Sequence, residues 1–147
     1  MRALRPLRAR PGFARCLLAL VPVLSATPAR AYTPAVDYAL NCQGCHLRDG
    51  SATRDAVPAL AGSIARFLAV PGGREYLVRV PGVSQSALDD TALAALLNWV
   101  VEEFDREHVP AGFAPFTAQE VARLRKAPLI DVAGTRRRLL DPVAQPR

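Results

Sequence analysis

At 147 residues the chain has the length of one domain, and its formal charge of +6 would suit an anionic partner. Six of its 19 basic residues and none of its 13 acids fall within residues 1–31, however, so the remainder is electrically neutral. That balance removes the ground for nucleic-acid binding and leaves membrane contact only to a basic C-terminal tail.

Arg2, Arg5, Arg8, Arg10 and Arg15 precede the apolar run "CLLALVPVLSA", and Ala29 and Ala31 stand at the −3 and −1 positions of a cleavage site. A basic start, a short apolar stretch and small residues together describe a secretory signal peptide, cleaved after Ala31, and hence a periplasmic protein. The run is far shorter than the roughly 20 residues that span a bilayer. An uncleaved amphipathic anchor is the competing reading. No lipoprotein signal precedes Cys16, where Phe13-Ala14-Arg15 stands.

Thr33-Pro34 suits a helix start, as cap and first-turn proline. Residues 47–57 are polar, contain Gly50 and predict a loop. Leu60, Ile64, Phe67 and Leu68 recur at helical spacing until Pro71-Gly72-Gly73. "REYLVRV" reads as a short strand or extended segment ended by Pro81-Gly82. The strongest helix spans about 90–105, with Asp89 as cap and Leu93, Leu96, Leu97, Val100, Val101 and Phe104 on one apolar face. Glu102, Glu103, Asp105 and Glu107 crowd its last turn, where acids oppose the helix dipole, so the helix is expected to fray there or to be covered by the basic tail, the latter being the favoured reading. "TAQE" at 117–120 is a capping box for a short helix running to Lys126. One or two helical turns follow, carrying the basic cluster "TRRRLL" at 135–140; an acidic partner or anionic lipid is the alternative target for that cluster. The adjacent acid pairs Asp89/Asp90 and Glu102/Glu103 point apart on a helix, so no catalytic residue is assigned.

Beyond the signal both cysteines lie in "NCQGCHLRDG", positions 41–50. Cys42 and Cys45, one helical turn apart, can each add to a vinyl group of one porphyrin, and the imidazole of His46 then falls beneath the iron as an axial ligand. A thioredoxin-like pair needs a βαβ pattern, which is lacking, and a zinc site finds only His108 beyond the motif. A structural disulfide stays open in an exported protein but leaves His46 without a role.

"YALNCQGCHLRDG" resembles the start of the class I c-type cytochromes, aromatic-x-x-x-C-x-x-C-H-x-x-D-G, with Tyr38 four residues before the first cysteine. "VPALAG" at 57–62 matches the family's element after the haem site, and "LDDTALAALLNWVVEEF" is similar to its C-terminal helix, with Trp99 at the customary aromatic position. The resemblance covers residues 32–104. It implies an all-α fold: a small cytochrome c-like helical domain over residues 32–106 around one covalently bound haem c, with a C-terminal helical extension over 107–147. It also implies that the carbonyl of Pro58 accepts a hydrogen bond from His46, and that Leu60, Ile64, Phe67, Leu68 and Trp99 form the dry pocket. The function implied is single-electron transfer, not enzymatic turnover, between a redox-protein donor and acceptor, with a dehydrogenase or membrane oxidase as the classes of partner.

Two positions depart from the family. Pro34 replaces the usual glycine before Tyr38, which alters the expected helix crossing. More consequentially, the family's distal methionine is missing: the single methionine is Met1, and Val80 occupies the matching place in "RVPGV". The sixth iron position is then open or water-bound, filled by His108, or filled by a partner-supplied or unusual ligand. An open site would suit the alternative function, a ligand-binding haem protein that senses gas or reacts with peroxide.

Overall fold

The computed structural model describes residues 32–53 and 57–141. The signal peptide and its cleavage point lie outside the described residues, as does Met1. Among the described residues no helix is long and apolar enough to cross a membrane.

Helix α1, Pro34–Asn41, begins as its sequence dictates: Thr33 Oγ1 accepts the Val36 N–H at 3.4 Å, and Pro34 needs no partner in the first turn. Its inward side is Tyr38, 1% exposed, which packs against Trp99 and Phe104 at centroid distances of 5.4 and 5.0 Å. Those two rings belong to α4, Asp90–Asp105, so an aromatic knot fixes the crossing of the two helices with Pro34 in place. Asp89 caps α4 as expected, accepting from Ala92 N at 2.8 Å.

Between them, Ile64–Ala69 forms a 3₁₀ segment that buries Ile64 and Phe67. The expected strand at "REYLVRV" is instead helix α2, Gly73–Arg79, followed by the short α3, Pro81–Ser84. Tyr76, Leu77 and Val78 are buried against the core, and packing of three adjacent apolar residues outweighs the extended preference of tyrosine and valine. Gly73 permits this start, because a Cβ there would lie 1.9 Å from the Phe67 carbonyl oxygen.

Helix α5, Ala118–Leu124, lies on the side of α4 and contributes Val121 and Leu124 to the core, joined by Phe116 from the preceding loop. The capping box forms only in part. Thr117 Oγ1 accepts the Glu120 N–H at 3.2 Å, while the Glu120 carboxylate turns to Arg74, with contacts of 2.5 and 2.8 Å. Arg74 also lies 4.1 Å from the Phe116 ring centroid. Arg125 grips the segment between α3 and α4, donating to the carbonyls of Ser84 (3.1 Å), Ser86 and Leu88 (2.8 Å) and to Asp90 (3.1 Å).

Helix α6, Val132–Leu140, packs on α2 and the 3₁₀ segment. The sequence placed the basic tail over the acidic end of α4, and the structure corrects this. Leu129 N donates to Arg79 O at 2.9 Å, and Asp131 caps α6, so the helix is steered toward α2. The end of α4 is satisfied locally by an Arg106–Glu102 pair at 3.0 Å and by contacts of Asp105.

Candidate haem site

The motif grows out of the end of α1. Cys42 is the C-cap residue, its N–H donating to Tyr38 O, and the Cys45 and His46 N–H groups both return to Cys42 O at 3.0 and 2.9 Å. This tight turn stacks the thiols one turn apart and projects His46 beyond them. Tyr38 Oη donates to Leu47 O at 2.7 Å, tying the motif to the aromatic knot; burial raises its pKa to about 12. Gly50 (φ +76°) then turns the chain, and its carbonyl accepts the Leu60 N–H at 2.7 Å, which brings the Pro58–Leu60 stretch beside the motif.

Cys42, Cys45 and His46 together line a cleft of about 330 Å³, a size suited to a cofactor. A chamber of about 100 Å³ adjoins it and shares Cys42, His46, Leu60, Ile64 and Val80. Both cysteines are free thiols. Cys42 is half-buried, and burial, followed by its neighbours Cys45 and Asp37, raises its pKa to about 11, so its thiol is neutral; Cys45 is exposed. Burial also lowers the pKa of His46, favouring the neutral imidazole that binds metal. Its Nδ1 is buried and makes no hydrogen bond to any described group.

An orphaned imidazole nitrogen, two thiols at one-turn spacing and an apolar cleft fit a covalently held haem. No family model matches the chain. Two curated relatives, both cytochrome c-552 of Thermus thermophilus, are 38% identical to it over 102 residues, covering 57% of this chain and 78% and 69% of theirs. The chain belongs to the c-type cytochromes. The cytochrome is therefore an electron carrier, its cofactor is covalently bound haem c, and its helical fold is that of a small all-α cytochrome.

The remaining expected residues divide into two groups. Pro58, Leu60, Ile64 and Phe67 line the cleft of the cytochrome beside the motif. Although Pro58 lines the cleft, its carbonyl makes no hydrogen bond to His46 Nδ1. Trp99 does not reach the cleft; it packs against Tyr38 and, edge-on at 5.5 Å, Phe104, where an indole fills the helix crossing. Leu68 packs against the core without lining the cleft. His108 is also remote. It lies in a 3₁₀ turn after α4, its Nδ1 2.5 Å from Asp105 Oδ1, and lines a different surface hollow.

The sequence reading marked Val80 at the opposite wall but missed its companions there, Tyr76 and Leu77 of α2, Val83 of α3, and Val132 and Arg136 of α6. Spacings of three and four residues (Tyr76–Val80, Leu77–Val80 and Val132–Arg136) were the available signal, masked by the β-branched and aromatic content of the first stretch and by the polarity of the second.

Proposed function

We propose that the protein is an exported, periplasmic monohaem carrier in which Cys42 and Cys45 hold one haem c through thioether bonds and His46 is the iron ligand. The observation that carries this reading is the unpartnered His46 Nδ1 beside two free thiols at the wall of an apolar cleft. When bound, the haem supplies an iron that gains and loses one electron. The chain supplies the rest. Cys42 and Cys45 would hold the group through thioether bonds, each sulfur bonding one vinyl carbon and the thiol hydrogen going to the other, so no oxidant would be consumed. Neutral His46 presents a lone pair, and Leu60, Ile64, Phe67 and Leu77 keep water from the ring. The partners are a donor and an acceptor redox protein, such as a dehydrogenase and a membrane oxidase.

The iron's other face lacks a methionine in this reading. Val80 lines both chambers of the cleft, and among the described lining residues His46 supplies the one imidazole and none supplies a thioether. Without a thioether donor the bound group would have a potential below that of a histidine/methionine carrier.

Expression with haem-maturation machinery tests the attachment: the mature chain gains the mass of one haem, and the Cys42→Ser/Cys45→Ser variant gains none. An unmodified mature chain refutes it. Carbon monoxide added to the ferrous protein shifts its spectrum if the far face is open; an unchanged low-spin spectrum rules that face out as open.

A further inference from the structure

Haem is chemically two-sided: most of its surface is apolar, but one edge carries two propionate carboxylates. A buried carboxylate needs a cation or strong donors, since desolvation without a partner costs several kcal/mol. Among the described residues lining the cleft, Arg136 alone carries a fixed charge; the others are apolar, neutral polar, or belong to the attachment motif.

Arg136 differs from the arginines that tie the fold together. Arg74, Arg106, Arg125 and Arg138 each pair with a carboxylate of the protein, Glu120, Glu102, Asp90 and Asp131 respectively. No such pair joins Arg136 to a described residue. Its guanidinium lies 5.6 Å from the Phe67 ring centroid, and Phe67 in turn stacks on Tyr76 at 4.7 Å. Tyr76 lines the cleft, is 6% exposed, and carries a hydroxyl on which the Arg136 charge acts. A cation and a phenol thus share one wall of an otherwise apolar slot.

Arg136 is also held in place. Asp131 caps α6 through the Gly134 N–H at 2.8 Å, and a Cβ at Gly134 would collide with that carboxylate at 2.0 Å. Leu139 and Val132 of the same helix pack against the core, so this is a fixed wall of the cleft.

We propose that Arg136 binds a propionate carboxylate of the haem, with the Tyr76 hydroxyl beside it as a second donor, making the C-terminal extension part of the cofactor site. The assignment rests on the haem reading above. Charge-assisted pairing with a guanidinium is stronger than a neutral hydrogen bond and holds the carboxylate ionised without leaving net negative charge beside the iron.

The test is the midpoint potential of haem-loaded variants at pH 7. Removing the guanidinium leaves an uncompensated carboxylate that favours the ferric state, so Arg136→Gln and Arg136→Leu both shift the potential downward. The leucine variant keeps apolar carbon over Phe67 without adding a metal ligand, which guards against a packing effect. Arg136→Lys restores most of the shift, and Arg137→Gln, one residue along on the exposed side, leaves the potential unchanged. Potentials of both neutral variants equal to wild type, or an equal shift from Arg137→Gln, overturn the Arg136 assignment while leaving the haem reading intact. A haem-free mass for wild type overturns both.

Discussion

Gly50 rests against the ring of Phe104: a Cβ at this glycine would fall 2.7 Å from Phe104 Cδ1, and its φ of +76° already excludes most side chains. The contact joins the loop after the haem motif to the end of α4, and the neighbouring Gly62 N–H donates to Phe104 O at 3.0 Å. Gly50→Ala is expected to cost about 2–4 kcal/mol, combining overpacking with a left-handed backbone. Thermal melting of the holoprotein measures it. Phe104→Leu in the same chain should recover part of the loss, since a smaller side chain removes the overlap.

Glu120 gives stability a pH dependence. The Arg74 hydrogen bond, chiefly, holds its carboxyl below the ordinary 4.5 despite the opposing effect of burial. A carboxyl whose pKa is lower in the folded state stabilises above its unfolded pKa, and that contribution fades as pH falls through the folded value. Glu120→Gln should therefore cost about 1–2 kcal/mol at pH 7. Urea unfolding should show the gap between wild type and variant closing as pH falls below 4.5, the ordinary value.

Arg125 serves three carbonyls and one carboxylate with a single fork. Arg125→Ala leaves the carbonyls of Ser84, Ser86 and Leu88 without this donor and should cost about 2–3 kcal/mol. Amide hydrogen exchange should rise over residues 84–90 before it rises in α4. Arg125→Lys should rescue little, because one ammonium cannot reach all four acceptors.

Val80→Met restores a thioether at the wall of both chambers. The ferrous spectrum of this variant should no longer respond to carbon monoxide, and its potential should rise relative to wild type. Titration with carbon monoxide alongside redox potentiometry reads both changes.

Much of this was legible in the chain itself. The Cys42/Cys45/His46 motif, the Thr33 and Asp89 caps and the apolar face of α4 are local signals, and local signals survive folding. The misread parts depend on partners distant in sequence. Tyr76 to Val78 look extended alone and become helical because three apolar side chains find the core at once. His108 looked like an available ligand until Asp105 engaged it, and Trp99 looked like a pocket wall until Tyr38 and Phe104 enclosed it. The basic tail went to the cleft because Leu129 and Asp131 direct the chain there, and no periodicity reports such steering.

The burial of Phe116, Val121 and Leu124 against α4 bears on how the molecule comes apart. Residues 107–141 share the hydrophobic interior with the haem-bearing part, so the two form one cooperative block. Heat or denaturant should then produce a single transition, in which the haem wall and the C-terminal helices are lost together.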